Sequence, residues 1–306
     1  MPFLRLGKDV GADESALWSG DLYVSSKVPA QVCGNPECAG GWTAPWRSRR
    51  RPIFEGRWGC GGRCVLALVR AAVRREASDG IAANGPHRHR VPLGLVMLAQ
   101  GWITQEQLRR ALDAQREHGS GRIGDWLIAQ RAVDAERVTR GLSMQWNCPV
   151  LTTEGFSPEA MARVMPRPFV EELGMLPVRV AGSRILYLGF EDRMDASLAL
   201  AVEQMAELQV QSGLVSEPQF AAARNSLLEC EGVEAKTEAF ADMDALAARV
   251  TALLEHKQPV ASRLVRVHGY LWLRMWLETS ALGRVGSLPN SNEDVLDYVF
   301  SVGSRA

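Results

Sequence analysis

Residues 92–115 read PLGLVMLAQGWITQEQLRRALDAQ, and residues 122–145 read RIGDWLIAQRAVDAERVTRGLSMQ. Laid over each other thirty residues apart, they pair Gly94 with Gly124, Leu112 with Leu142 and Gln115 with Gln145. A repeat of this length marks two copies of one supersecondary unit stacked on a shared core. Each copy predicts a short helix, a turn and a second helix with a polar cap. In the first, Thr104 and Gln107 have the spacing of a capping box, and Leu108, Ala111 and Leu112 follow at helical intervals. In the second, Asp134 is the cap and Val138 and Leu142 follow. Periodicity alone therefore reads as two helical hairpins.

The residues say more than the period. The stretch resembles the tandem motif RLGxxLxxxGxxxxxxLxxxLxxQ of the N-terminal domain of type II secretion and type IV pilus assembly ATPases, the GspE/PulE type. The first copy keeps Leu93, Gly94, Gly101, Leu108, Leu112 and Gln115, with Met97 at a leucine position. The second keeps Arg122, Gly124, Leu127, Leu142 and Gln145, with Ile123 and Val138 as conservative changes. Pro92 stands where the motif has its first arginine, and Arg131 where it has its second glycine. In some members this domain binds cyclic di-GMP. The resemblance thus implies a ligand site built from Leu93, Gly94, Leu108, Leu112, Gln115, Arg122, Ile123, Gly124, Leu127, Val138, Leu142 and Gln145. The chemistry suits those residue types. Glycine lets backbone approach a ligand, helix N-termini offer amides to phosphate, arginine pairs or stacks, and glutamine donates and accepts at a base edge or sugar.

The resemblance continues from Cys148 to about Leu228, where a small α/β unit is expected within 148–235. Ser157 and Pro158 open a helix through Val164, and another covers Pro168 to Leu173. Leu176–Val180 and Ile185–Gly189 predict a hairpin, followed by a helix from Asp195 to Ala206, a strand near Leu208 and a capped helix from Ser216. Asp192, Arg193 and Asp195 read as a solvated turn. No GxxxxGK[ST] phosphate loop occurs anywhere in the sequence, and no nucleophile, base and acid arrangement is discernible, so a non-enzyme is expected.

Four of the six cysteines fall before the repeat, as Cys33, Cys38, Cys60 and Cys64. Paired cysteines at short spacing in a cytosolic chain point to zinc rather than disulfides. The segment between them has too few aliphatic residues to offset the ordering of the chain, whereas structural zinc supplies about 10–16 kcal/mol in small peptides. A closed structural zinc site of four cysteines is therefore expected, its second pair leading into an apolar helix from Val65. Cys148 and Cys230 read as ordinary buried thiols.

The chain has 306 residues, 46% of them hydrophobic, and zero formal net charge. That zero conceals an asymmetry, because residues 1–90 hold fourteen Lys and Arg against eight Asp and Glu. Arg47, Arg49, Arg50 and Arg51, near Trp42, Trp46 and Trp58, could hold nucleic acid; a solvated arginine run is the favoured reading. No run of eighteen apolar residues occurs, and the N-terminus MPFLRLGKDV lacks a signal pattern, so the protein reads as cytoplasmic and non-spanning; the family resemblance implies a bacterial protein.

Beyond the repeat domain, residues 236–282 predict an αα-hairpin. Met243, Leu246, Val250, Leu253 and Leu254 form the stripe of its first helix, and Leu264, Leu271, Trp272, Met275 and Trp276 that of its second. His268 reads as structural, and Asp242 and Asp244 as solvated. Residues 283–306 read as a loose tail with a short helix at 293–299. The expected architecture is α+β and multidomain. A zinc-finger-like basic domain (1–76), with His87 and His89 in the linker after it (77–91), precedes the tandem helical-hairpin repeat (92–147), the α/β unit, the helical hairpin and the tail. The expected function is that of a non-catalytic sensor or adaptor with cyclic di-GMP as candidate ligand and a protein partner in a secretion or pilus system. The alternatives are a protein-interaction scaffold with a decayed nucleotide site, and nucleic-acid binding through the finger.

Overall fold

Two two-residue strands, β1 (Ile53–Phe54) and β2 (Arg57–Trp58), lead into the long helix α1 (Gly62–Asp79). The structure, a computed structural model, describes residues 33–39, 51–79, 90–182, 184–279, 288 and 292–303. Arg47, Arg49, Arg50, Trp42, Trp46, His87 and His89 lie outside the described residues. Helix α1 runs through Asp79, so the expected linker contributes its first residues to that helix, and residues 80–89 lie outside the description. Among the described residues no helix is long and apolar enough to cross a membrane.

The repeat folds as two helical hairpins, α2 (Leu93–Ala99) with α3 (Gln105–His118) and α4 (Ile123–Ala129) with α5 (Ala135–Trp146). Thr104 and Gln107 form the reciprocal capping box, and Asp134 accepts from the Arg137 amide at 2.8 Å. Met97, Ala111 and Leu127, none with any exposure, fill the core between the copies. The turn inside each hairpin needs a left-handed residue. Gly101 supplies it at φ +66° and Arg131 at φ +55°, so the departure from the motif leaves the backbone path unchanged but places a side chain in a region that favours glycine.

Short helices α6 (Pro158–Met161) and α7 (Arg167–Glu172) precede the hairpin β3 (Met175–Ala181) and β4 (Ile185–Phe190). Helix α8 (Ala196–Ala206) crosses to β5 (Gln209–Leu214), which pairs parallel to β4, and α9 (Glu217–Glu229) closes the unit. These elements match the expected ones, except that α6 ends at Met161 instead of reaching Val164.

The last third differs from expectation. Instead of an αα-hairpin and a tail it holds β6 (Glu234–Phe240), α10 (Met243–Lys257), β7 (Ala261–Val267), β8 (Tyr270–Trp276) and β9 (Val295–Val302). They form a four-stranded sheet ordered β6-β9-β8-β7, with β6 parallel to β9 and the other pairs antiparallel. The physical reason lies in burial on both faces. Leu271, Leu273, Met275, Leu296, Tyr298 and Phe300 pack against α1 and α10, while Val265, Val267, Trp272 and Val299 pack against the α/β unit. A strand covered on both sides is apolar at every position and loses the alternation that would mark it. The expected helix at 293–299 is likewise the interior strand β9.

Helix α1 closes one face of this sheet through Val65, Leu68, Val69, Ala72 and Val73. β1 sits beside β7, with the Ile53 amide on the Pro259 carbonyl at 3.0 Å and the Glu55 amide on that of Ser262 at 2.8 Å. The cysteine-rich segment is thus built into the core of the C-terminal sheet and does not form a separate finger. On the other face Arg274, 2% exposed, meets the fully buried Asp297 through Nε at 2.8 Å and a terminal nitrogen at 2.7 Å. Its remaining nitrogen donates to the carbonyls of Arg163 and Val164, tying the sheet to the end of α6.

Candidate functional site

The two copies of the repeat meet along a groove of about 650 Å³. Of the residues that the motif marks, Leu93, Gly94, Leu108, Leu112, Gln115, Arg122, Ile123, Gly124, Val138, Leu142 and Gln145 all line it. Leu127 does not; it lies beneath, with no exposure, in the core that holds the hairpins together.

Repeat-related residues do the same work in each half. A Cβ on Gly94 would come within 2.6 Å of a Leu108 methyl, and one on Gly124 within 2.9 Å of a Val138 methyl. The motif glycines therefore admit the aliphatic residue of the following helix, so that they serve helix packing as well as the groove wall. The glutamines are reciprocal. Gln115 donates from Nε2 to the Gly121 carbonyl at 2.7 Å, and Gln145 to the Val91 carbonyl at 2.7 Å. Each copy's last glutamine thus holds the start of the other copy in place. One amide N–H of each is thus engaged by backbone, which fixes the side chain in the groove wall.

The charges come from farther along the chain. Arg122 precedes α4 and is 57% exposed; its guanidinium meets Asp192, and Glu191 stands 3.9 Å away. Asp125 accepts the Arg122 amide at 3.1 Å. Arg193 and Glu217 complete the polar wall. Burial, partly offset by Arg122 and reinforced by Asp192, Glu217 and Asp125, pushes the Glu191 carboxyl above its ordinary range. The 191–193 segment is thus one wall of the groove and not merely a solvated turn. Asp195 caps α8 and pairs with His268 Nε2 at 2.9 Å, while Asp242 caps α10 and Asp244 pairs with Arg70. Sequence reasoning missed Glu191 and Glu217 and read Asp192 as part of a solvated turn, because no local pattern places them at the groove; only the fold brings these residues to it.

A second cluster lies at the start of α1. The sulfurs of Cys33, Cys38, Cys60 and Cys64 all fall within 4.8 Å of one another. Cys60 stands 3.4 Å from Cys38 and 3.5 Å from Cys64, close to the S···S edge of about 3.8 Å that a tetrahedron with 2.3 Å zinc–sulfur bonds requires. The Cys60 amide donates to Cys33 Sγ at 3.3 Å and Asn35 Nδ2 to Cys64 Sγ at 3.4 Å, bonds that stabilise thiolate. Hydrogen bonding with Cys38 and Cys64, with burial, pushes the Cys60 thiol up to about 12. Four cysteines so placed could hold a metal ion. A fourfold sulfur set leaves no open coordination position, which suits a structural role.

No protein-family model matches the chain. Among curated proteins, the type IV pilus assembly ATPase PilB of Myxococcus xanthus (strain DK1622) is 28% identical over 95 residues, 31% of this chain. The match spans only 17% of the length of that relative. Among solved structures, that of MshE with cdg has a TM-score of 0.36 and 23% identity, covering 44% of this chain and 98% of that one. The N-terminal domain of XpsE has a TM-score of 0.34 and 15% identity, covering 45% and 98%. Part of this chain is thus similar in sequence to a stretch of a type IV pilus assembly ATPase.

Proposed function

We propose that the chain is a non-catalytic regulatory or adaptor module that takes cyclic di-GMP in the groove between its two repeats. The observation that carries this reading is the convergence of the motif residues, from both copies, on one groove. Its chemistry fits the ligand in three parts. Leu93, Leu108, Leu112 and Leu142 offer apolar contact to bases and sugars, and Arg122 offers a cation to phosphate. The carboxylates of Asp125, Glu191 and Asp192 are acceptors, matched to the donors on a guanine edge and mismatched to the acceptor nitrogen of adenine. The choice of dinucleotide is supported by the motif's resemblance to domains of which some members bind it.

Calorimetric titration of cyclic di-GMP, with cyclic di-AMP as control, tests the reading. Saturable binding of the guanine dinucleotide, weakened at least about tenfold by Arg122→Ala, is expected. Equal binding of both dinucleotides, or none into the high micromolar range, overturns it.

A second reading is favoured by one observation: Leu95, more than half exposed, lines the groove, and Pro92 leaves its first half without the motif arginine. On that reading the groove docks an apolar partner segment from a secretion or pilus system and takes no nucleotide. Zinc is the metal we assign to the four cysteines. It would be held by Cys33, Cys38, Cys60 and Cys64 and would supply a rigid cross-link between residues 33–38 and α1. One equivalent of zinc in protein purified without chelator is the expected measurement.

A further inference from the structure

We infer that Arg90, stacked on Trp146, supplies the cation that Pro92 removes from the first half of the groove. The inference rests on the groove being a dinucleotide site and adds a residue outside the motif to it. Positions 92 and 122 correspond in the repeat, and both line the groove, but only Arg122 carries charge. Two residues upstream of Pro92, the Arg90 guanidinium lies 3.2 Å from the centroid of the Trp146 ring. Trp146 ends α5 and lines the groove. The chain between the partners is anchored, because Gln145, next to Trp146, holds the carbonyl of Val91, next to Arg90.

The geometry leaves the cation usable. Stacking engages the face of a guanidinium and leaves its in-plane N–H donors directed outward, as phosphate recognition requires. Among the described residues Arg90 makes no ion pair, whereas Arg122 is engaged by Asp192 and Glu191. The pair is also not an ordinary part of the repeat. The positions that correspond to Arg90 and Trp146 at the other half are Ser120 and Arg116, and Arg116 pairs with Asp113 within its own helix. An arginine on a groove tryptophan thus occurs at the half that lacks the motif arginine and not at the half that has it.

The test is titration of cyclic di-GMP into the full chain and its Arg90→Gln, Pro92→Arg and Arg90→Gln/Pro92→Arg variants, with thermal melts to show that all are folded. Arg90 is exposed and lies outside every helix and strand, so its substitution leaves the fold intact. The expected result is binding by the wild type, a loss of about tenfold in Arg90→Gln, and recovery to within about threefold when Pro92→Arg is added. Unchanged affinity in Arg90→Gln overturns the inference and leaves the groove reading standing. Binding by Pro92→Arg but not by the wild type also overturns it, since Arg90 would then fail as a substitute. Binding by none of the four overturns the groove reading itself and the inference with it.

Discussion

Replacing Arg274 by methionine should damage the protein far more than its place near the end of the chain suggests. The substitution removes both bonds to Asp297, at 2.8 and 2.7 Å, and the donors to the carbonyls of Arg163 and Val164 at 3.1 and 3.0 Å. Asp297 has no exposure and keeps only the Trp272 indole N–H, at 2.8 Å, among these partners. A buried charge left without its partner costs about 3–5 kcal/mol. Adding Asp297→Leu should recover part of that loss, because the uncompensated charge goes too. Recovery stops short of complete, since the Trp272 N–H and two buried carbonyls then stay unpaired at about 1–3 kcal/mol each. Urea unfolding followed by tryptophan fluorescence reads both effects, and the double-mutant cycle gives the coupling. Because the arginine ties the sheet to α6, the loss should register in a transition shared by the sheet and the α/β unit. A cost below about 1 kcal/mol for Arg274→Met, or a sheet that melts separately at an unchanged midpoint elsewhere, would refute the reasoning.

Arg131 holds a left-handed backbone that costs an ordinary residue about 1–2 kcal/mol, so Arg131→Gly should stabilise the chain by part of that amount in chemical denaturation; destabilisation would contradict it. Glu191, raised by burial, stabilises the fold only when protonated, and that contribution is lost as pH rises through its folded value. Glu191→Gln should therefore melt above the wild type at pH 7, with the difference vanishing below about pH 4; a wild type that melts higher at neutral pH would show the sign to be wrong. Stripping metal with a chelator, or Cys64→Ser, should lower the melting temperature of the whole C-terminal sheet, because α1 packs directly on it. A sheet indifferent to chelator would separate the cysteines from the core.

The repeat is legible because its signals are local. A capping box is read within one hairpin and the period of thirty with its paired glycines within two adjacent ones, and the structure forms both hairpins. Leu127 shows the limit. The motif marks it like its neighbours, but which side of a helix faces ligand and which faces core is decided by packing. The C-terminal sheet is illegible for a different reason. In YLWLRMW both faces are covered, so period two disappears and the apolar positions also fit a helix. The one local clue is the pair His268 and Gly269, a two-residue loop with His268 at φ +53°, which belongs to a hairpin. The carboxylate wall has no local signal at all, because Glu191, Asp192 and Glu217 reach the groove only through the placement of β4 and α9.

The claim that the two repeats form one ligand groove is tested most directly by hydrogen–deuterium exchange of the full chain with and without saturating cyclic di-GMP. The account predicts slowed exchange in both repeat-related segments, residues 92–97 and 122–128, with α10 unchanged. Unaltered exchange in those two segments, or protection confined to another part of the chain, would contradict it.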